Sequence, residues 1–297
     1  MEVIVLGTSS GVPTKDRNHS SHLVSTKNYD ILMDCGEGTQ RQLKIKGLNP
    51  TRIKKILLTH WHGDHSLGLL GLLQSLAFLN QETVRIEIYG PKQTKKRLKI
   101  LMEGFVFQGQ LNLVIKECKS GKIFEDEYLE IHCLPMNHST DCIAFSIKEK
   151  DKRKIKMSEI TKLKIPEGPM LNKFVQGKSL TFKGKKINAK DVTYTEKGKK
   201  LVYVTDTVMC DNAIKLAKDA DLLICEATYD KSLEEKAKKH SHMTTHDAAT
   251  IASEAKVKKL LLTHFSPRYT DLKPLEDEAK EIFSETKCTF DFMRVRI

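Results

Sequence analysis

Apolar and polar positions along the chain follow two alternating patterns. Short runs rich in Val, Ile and Leu, at 3–6, 31–33, 53–59, 84–89, 129–134, 201–205, 222–225, 258–263 and 290–295, have strand length and strand composition. Between them, apolar residues recur at helical spacing over 37–46, 64–79, 91–103, 211–218, 245–255 and 273–284. The alternation predicts an α/β protein, two sheets covered by helices. One strand has an echo: Ile53-Lys54-Lys55-Ile56-Leu57-Leu58-Thr59-His60 recurs as Val257-Lys258-Lys259-Leu260-Leu261-Leu262-Thr263-His264, with six of eight positions identical. Each copy reads as a buried strand ending in a histidine. Two generic core strands can look alike by chance; otherwise the echo marks two related halves, each delivering a ligand from a strand's end.

The pattern changes between 148 and 200. This stretch carries Gly168-Pro169, several β-like fragments and the densest basic run, which includes Lys152, Arg153 and Lys154. It holds 17 basic and 6 acidic residues, a net of +11, whereas the whole chain of 297 residues is +12. The remaining residues are therefore close to neutral, and the excess charge belongs to one segment that reads as an inserted basic arm. A solvated lysine-rich hairpin without a partner is the plainer alternative. With 39% hydrophobic and 30% charged residues, the chain as a whole reads as one folded globular domain over 1–297, neither a disordered tail nor a membrane span.

Chemistry concentrates in His60-Trp61-His62-Gly63-Asp64-His65. Imidazole and carboxylate are ligands suited to zinc, and four of them within six residues converge only if the backbone turns tightly, as Gly63 permits. The motif begins where a buried strand ends and stops where an apolar helix starts, the edge at which α/β sites form.

With this H-x-H-x-D-H signature the chain resembles the metallo-β-lactamase superfamily, which implies a four-layered αββα fold with a protruding basic arm. The likeness extends through Asn137-His138-Ser139, Thr205-Asp206-Thr207 and Thr263-His264-Phe265, each after a predicted strand and in the order of the superfamily's remaining ligands. Within it, the chain is similar to the tRNase Z family. Gly7 to Pro13 followed by Lys15, Arg17 and Asn18 looks like that family's P-x-K-x-R-N loop. Cys225-Glu226-Ala227-Thr228 resembles its H-E-A-T element, with cysteine for the first histidine, and His242-Met243-Thr244 its H-S-T element, with methionine for serine, 22 residues before His264. His240 and His246 are neighbours that a shifted alignment would put in His242's place.

The resemblance implies a metal-dependent endoribonuclease that trims the 3′ trailer from precursor tRNA, leaving a 3′-hydroxyl on the tRNA and a 5′-phosphate on the trailer. It implies two Zn2+ per chain, with Mn2+ or Fe2+ also compatible with such ligands. One would be held by His60, His62 and His138, the other by Asp64, His65 and His264, with Asp206 between them. Asp64, His242 and Glu226 would carry the catalytic proton and water chemistry. Lys152, Arg153, Lys154, Gly168 and Pro169 of the arm, with Lys15 and Arg17, would contact RNA. A homodimer is implied as well.

Two other function classes fit parts of the sequence. Another hydrolase on this scaffold, such as a thioesterase, lactonase or small-molecule phosphodiesterase, would share the histidines but has no need of the arm or of His242. A non-catalytic RNA-binding subunit would be expected to lack ligands, and none of the seven is missing. A related nuclease branch with a large domain between the last two ligands is excluded by spacing, because only 58 positions separate Asp206 from His264. No signal peptide or membrane-length apolar stretch is read, so no membrane partner is expected. The seven cysteines form no C-x-x-C pair and read as reduced core thiols, which predicts a cytoplasmic protein.

Overall fold

The protein is described as a computed structural model covering residues 1–79, 84–106 and 109–297. Two compact units divide it. One comprises Met1–Glu125, Glu130–Ile147 and Lys200–Ile297; the other comprises Asp126–Leu129 and Lys148–Lys199.

The larger unit is built on two seven-stranded sheets. In the first, the order is Arg294–Arg296, Glu2–Gly7, Ser21–Ser25, Asp30–Met33, Ile53–Leu57, Val84–Gly90 and Leu111–Glu117. The last four of these strands run parallel, with Ile56 facing Leu32 on one side and Ile88 on the other. The second is ordered Thr286–Cys288, Leu260–Thr263, Leu222–Glu226, Lys200–Val204, Cys142–Glu149, Leu129–Met136 and Gly121–Glu125. Its first four strands are likewise parallel. Parallel strands covered on both faces need apolar residues at nearly every position, and Leu260, Leu261 and Leu262 are fully buried.

Each sheet packs helices on its outer side. Leu43, Leu69, Leu72, Leu73, Leu76 and Leu98, from helices Thr39–Ile45, Leu69–Leu79 and Thr94–Glu103, form one core with Ile56 and Ile88. Helices Asp211–Ala217, Thr245–Glu254 and Lys273–Lys280 supply Leu216, Ile251 and Leu275 to the other. Between the sheets, the His22 and Tyr203 rings lie 5.1 Å apart and Lys55 sits over the Phe124 ring. The layering is αββα. The two echoing segments become Ile53–Leu57 and Leu260–Thr263, corresponding parallel strands of the two sheets.

The structure also differs from expectation. The helix expected over 64–79 is two helices, Gly63–Ser66 and Leu69–Leu79. Gly68 between them touches backbone: a Cβ there would meet the Gly36 carbonyl oxygen at 2.1 Å. The strand expected over 290–295 is confined to Arg294–Arg296, and Ser21–Ser25, Leu111–Glu117, Gly121–Glu125, Cys142–Glu149 and Thr286–Cys288 are strands the sequence pattern did not single out.

The smaller unit is more than a hairpin. Lys152–Ile155 pairs antiparallel with Thr193–Glu196, a short ribbon joins Leu180–Phe182 to Lys185–Ile187, and Ile160, Ile165, Phe174, Ile187 and Val192 form a separate core.

Candidate metal centre

His60 and His264 leave the ends of the two echoing strands, and each is fully buried. His264 adopts a left-handed backbone conformation, φ 60°, that non-glycine residues take up only at a local energetic cost. Asp34, after Asp30–Met33, does the same at φ 54°. Both residues directly follow a strand, so each strained turn marks a strand end. His62 occupies the position just before the short helix that carries Asp64 and His65, without a side-chain capping bond. Asp206 follows Lys200–Val204, and His138 follows Leu129–Met136.

The fold gathers all seven side chains. Ligand atoms of His60, His62, His138 and Asp206 lie within 4.8 Å of one another, and so do those of Asp64, His65 and His264. Asp206 spans the two groups, its Oδ1 3.2 Å from both His65 Nε2 and His264 Nε2 and its Oδ2 3.6 Å from His60 Nε2 and 3.8 Å from His138 Nε2.

Hydrogen bonds around the rim settle which ring nitrogens point inward. His65 Nδ1 lies 2.8 Å from Asp34 Oδ2, His138 Nδ1 2.9 Å from the Ser241 carbonyl, His264 Nδ1 3.0 Å from Thr228 Oγ1 and His60 Nδ1 3.1 Å from Thr59 Oγ1. If each Nδ1–H donates outward, all four Nε2 lone pairs face the centre. His65 Nε2 and His264 Nε2 are then 3.1 Å apart, acceptor against acceptor, and His138 Nε2 is 3.3 Å from His62 Nδ1. The buried Nε2 of His60 has no hydrogen-bond partner. Facing lone pairs and an orphaned buried nitrogen are costly without a cation, so the donor set fits bound metal.

Charge follows the same geometry. Burial and neighbouring His65 push His60 well below the usual imidazole range. Burial opposes ionisation of Asp206 and Asp64, but the surrounding imidazoles hold both well below the usual carboxylate range.

Asp34 is a site residue that sequence reading missed. Fully buried, it accepts from Thr59 N–H at 2.8 Å and from the Tyr203 hydroxyl at 3.0 Å while holding His65. Two glycines make this contact: Gly68 N–H donates to the Cys35 carbonyl at 2.9 Å, and at Gly36 a Cβ would meet the Asp64 carbonyl oxygen at 2.3 Å. The sequence signal was an acidic residue directly after a buried strand, as at Asp206 and Glu226.

A second cluster adjoins the first. Glu226, fully buried, accepts from Thr207 N–H at 2.8 Å, from the Thr228 hydroxyl at 2.6 Å and from His242 Nδ1 at 3.1 Å. Burial alone would lower the His242 pKa, but Glu226 raises it to about 9. A capping box between Thr244 and Asp247 starts helix Thr245–Glu254 and fixes the backbone that presents His242. Of the three neighbouring histidines it is His242 that lies 3.9 Å from Asp206, while His240 is exposed.

The loop residues separate. Gly11 N–H donates to Asp64 Oδ2 at 2.7 Å, and Lys15 is exposed. Arg17, expected to contact RNA, is only 9% exposed, and its guanidinium donates to the Tyr269 carbonyl at 2.7 Å and the Ser266 carbonyl at 3.2 Å. These two bonds brace the loop internally, and burial leaves little of the guanidinium accessible to a phosphate. In the smaller unit Lys152, Arg153 and Lys154 are exposed on one strand, with Lys154 paired to Glu196 at 2.8 Å, and Gly168-Pro169 forms the turn before helix Leu171–Val175.

The family model described as anti-Pycsar protein Apyc1 matches residues 1–290. Ribonuclease Z of Picosynechococcus sp. is 39% identical, the match covering 100% of this chain and 96% of that protein. Ribonuclease Z of Methanothermobacter thermautotrophicus is 35% identical, over 100% and 97%. Among solved structures, human tRNase Z, short form, superposes with a TM-score of 0.73 at 28% identity, covering 100% of this chain and 99% of that one. The metallo-β-lactamase fold protein YhfI from Bacillus subtilis gives 0.71 at 21% identity, over 99% and 98%, a likeness of fold. By the family model the chain belongs to the anti-Pycsar Apyc1 family, and by its full-length relatives it is a member of the ribonuclease Z family, on the metallo-β-lactamase fold.

Proposed function

We propose that the protein is an endoribonuclease that removes the 3′ trailer of precursor tRNA by hydrolysing one phosphodiester bond. The observation that carries this reading is the pairing of an inward-facing histidine and aspartate cluster with His242, partly buried, held by the buried Glu226 and 3.9 Å from Asp206. His60, His62 and His138 would hold one Zn2+ and Asp64, His65 and His264 a second, with Asp206 bridging; Mn2+ or Fe2+ would suit the same donors. Two such cations supply a water of lowered pKa and neutralise the charge that builds on a phosphodiester.

The chain's own residues do the rest. Asp64 is fixed by Gly11 N–H at one oxygen and orients the attacking water with its carboxylate. His242 enters protonated and gives its Nε2 proton to the departing 3′-oxygen. Glu226 holds the ring through Nδ1 and stabilises the imidazolium before transfer. The tRNA leaves with a 3′-hydroxyl and the trailer with a 5′-phosphate. Lys15 and the arm residues Lys152, Arg153 and Lys154 contact phosphates, with the Gly168-Pro169 turn placed against folded RNA. The protein acts as a homodimer in the cytoplasm, a reading supported by its seven free cysteines and by Phe78 and Leu79, 65% and 59% exposed. Among the described residues no helix is long and apolar enough to cross a membrane.

Mapping the 3′ end left on a precursor tRNA tests the reading: a single cut at the trailer junction is expected, and its absence with enzyme that carries metal overturns it. A second reading is a small-molecule phosphodiesterase on the same centre, which the histidine and aspartate cluster by itself would serve equally. That reading predicts efficient hydrolysis of small diesters and no cut in precursor tRNA.

A further inference from the structure

Beside the metal centre lies a cavity of about 780 Å³, within the size range of small-ligand sites. His138 forms part of its wall, whereas Asp64, Glu226, His242 and His264 do not. The cavity therefore opens from the His138 side of the cluster. Its charged groups balance: Lys92 and Lys119 against Glu117 and Asp141. Glu117 is already engaged, accepting the Lys95 N–H at 3.1 Å. A trap for free phosphate or a dinucleotide would carry net positive charge. This wall instead offers the apolar surfaces of Pro91, Pro135 and Met136, with Thr140 and Asp141 as hydrogen-bonding groups, and it suits an uncharged ribonucleoside.

We propose that the cavity receives the first nucleoside of the trailer, the one joined to the 5′-oxygen of the scissile phosphate. The proposal rests on the tRNA-processing reading. With His242 serving the departing 3′-oxygen, the tRNA body lies on the His242 side, and the chain that continues through the 5′-oxygen is free to turn past His138. A trailer is single-stranded, so its bases can be splayed out and held on apolar surface with their edges hydrogen-bonded. Prolines and a methionine in place of aromatic rings give contact without a preference for one base.

The test uses the metal-loaded protein and three precursor tRNAs: intact, abasic at the first trailer position, and abasic at the third. The first-position gap is expected to lower kcat/KM about tenfold, the scale of one lost base contact, and the third-position gap to leave it unchanged. Equal rates on all three RNAs overturn the proposal. Thr140→Trp, which puts an indole into the cavity where the base would lie, is expected to erase the difference between intact and first-position abasic RNA. The ratio is taken within one variant, so a general loss of activity does not imitate it; an undiminished ratio overturns the proposal. Should Thr140→Trp not fold, Asp141→Ala at the exposed rim is expected to narrow the same ratio, and an unchanged ratio there counts equally against it. If the wild-type protein hydrolyses bis(p-nitrophenyl) phosphate but cuts none of the three RNAs, the tRNA reading falls and this one with it.

Discussion

The two compact units solve opposite problems. In the larger, opposite charges nearly cancel and those that form the site are buried: His60, His65, Asp34, Asp206, Glu226 and His264 are almost completely shielded from solvent, and each is fixed by neighbours. In the smaller, charge is abundant and lies on the surface, and a small apolar core serves to display it. Buried polar groups interact at low dielectric and cannot be moved without leaving a partner unpaired, so each carries a large effect. Exposed lysines are screened and interchangeable, so each carries a small one that adds to the others. Chemistry needs the first arrangement, and a grip on a polyanion needs the second.

That contrast breaks most severely at Asp206. Asp206→Ala removes the carboxylate that, among the described residues, faces both histidine groups, and a loss of about 10³-fold or more in kcat is expected, together with a fall in bound metal read by elemental analysis. Near-normal cleavage with normal metal content would overturn the assignment of the centre. His242→Ala should cost about 10²- to 10⁴-fold while leaving metal content unchanged. A general acid must be protonated to act, so wild-type kcat should decline as pH rises through about 9, and that decline should be missing from the variant's pH profile.

Asp34→Asn comes next in size. The amide keeps the shape but cannot match the carboxylate toward His65, Thr59 and Tyr203 together, and a loss of about 10- to 100-fold in metal affinity is expected from a chelator titration. Asp34 also marks the limit of what the sequence made legible. His60 to His65 could be read because their spacing alone brings them together. His138, Asp206 and His264 became readable only in order along the chain. Asp34 meets His65 because Gly36 and Gly68 let two backbones cross, a contact set by the fold with no local periodicity. The strands missed at Ser21–Ser25 and Thr286–Cys288 fail for a related reason. Ser21, His22 and Thr286 are buried polar residues, and a hydrophobic pattern cannot count them. Arg17 shows the converse. Its charge read as a surface feature, while its environment makes it a brace.

The smallest effects separate the two units most cleanly, because the same formal charge does different work in each. Arg17→Gln should lower kcat by loosening the loop that presents Gly11 to Asp64, and should leave the salt dependence of RNA binding as it was. Lys152→Gln should do the reverse. Lys152 is exposed on a strand whose neighbour Lys154 is already paired with Glu196, so its ammonium is the one on that strand face best able to displace a counterion from RNA. Losing one phosphate contact should reduce the slope of log affinity against log salt by about 0.7–0.9, with kcat at saturating RNA unchanged. Deleting 150–190 should multiply that change in slope by the number of contacts the unit makes, while hydrolysis of bis(p-nitrophenyl) phosphate persists. A Lys152→Gln variant with reduced kcat and an unaltered slope would mean that the charge of the smaller unit serves its own folding, and the division of labour between the units would fail.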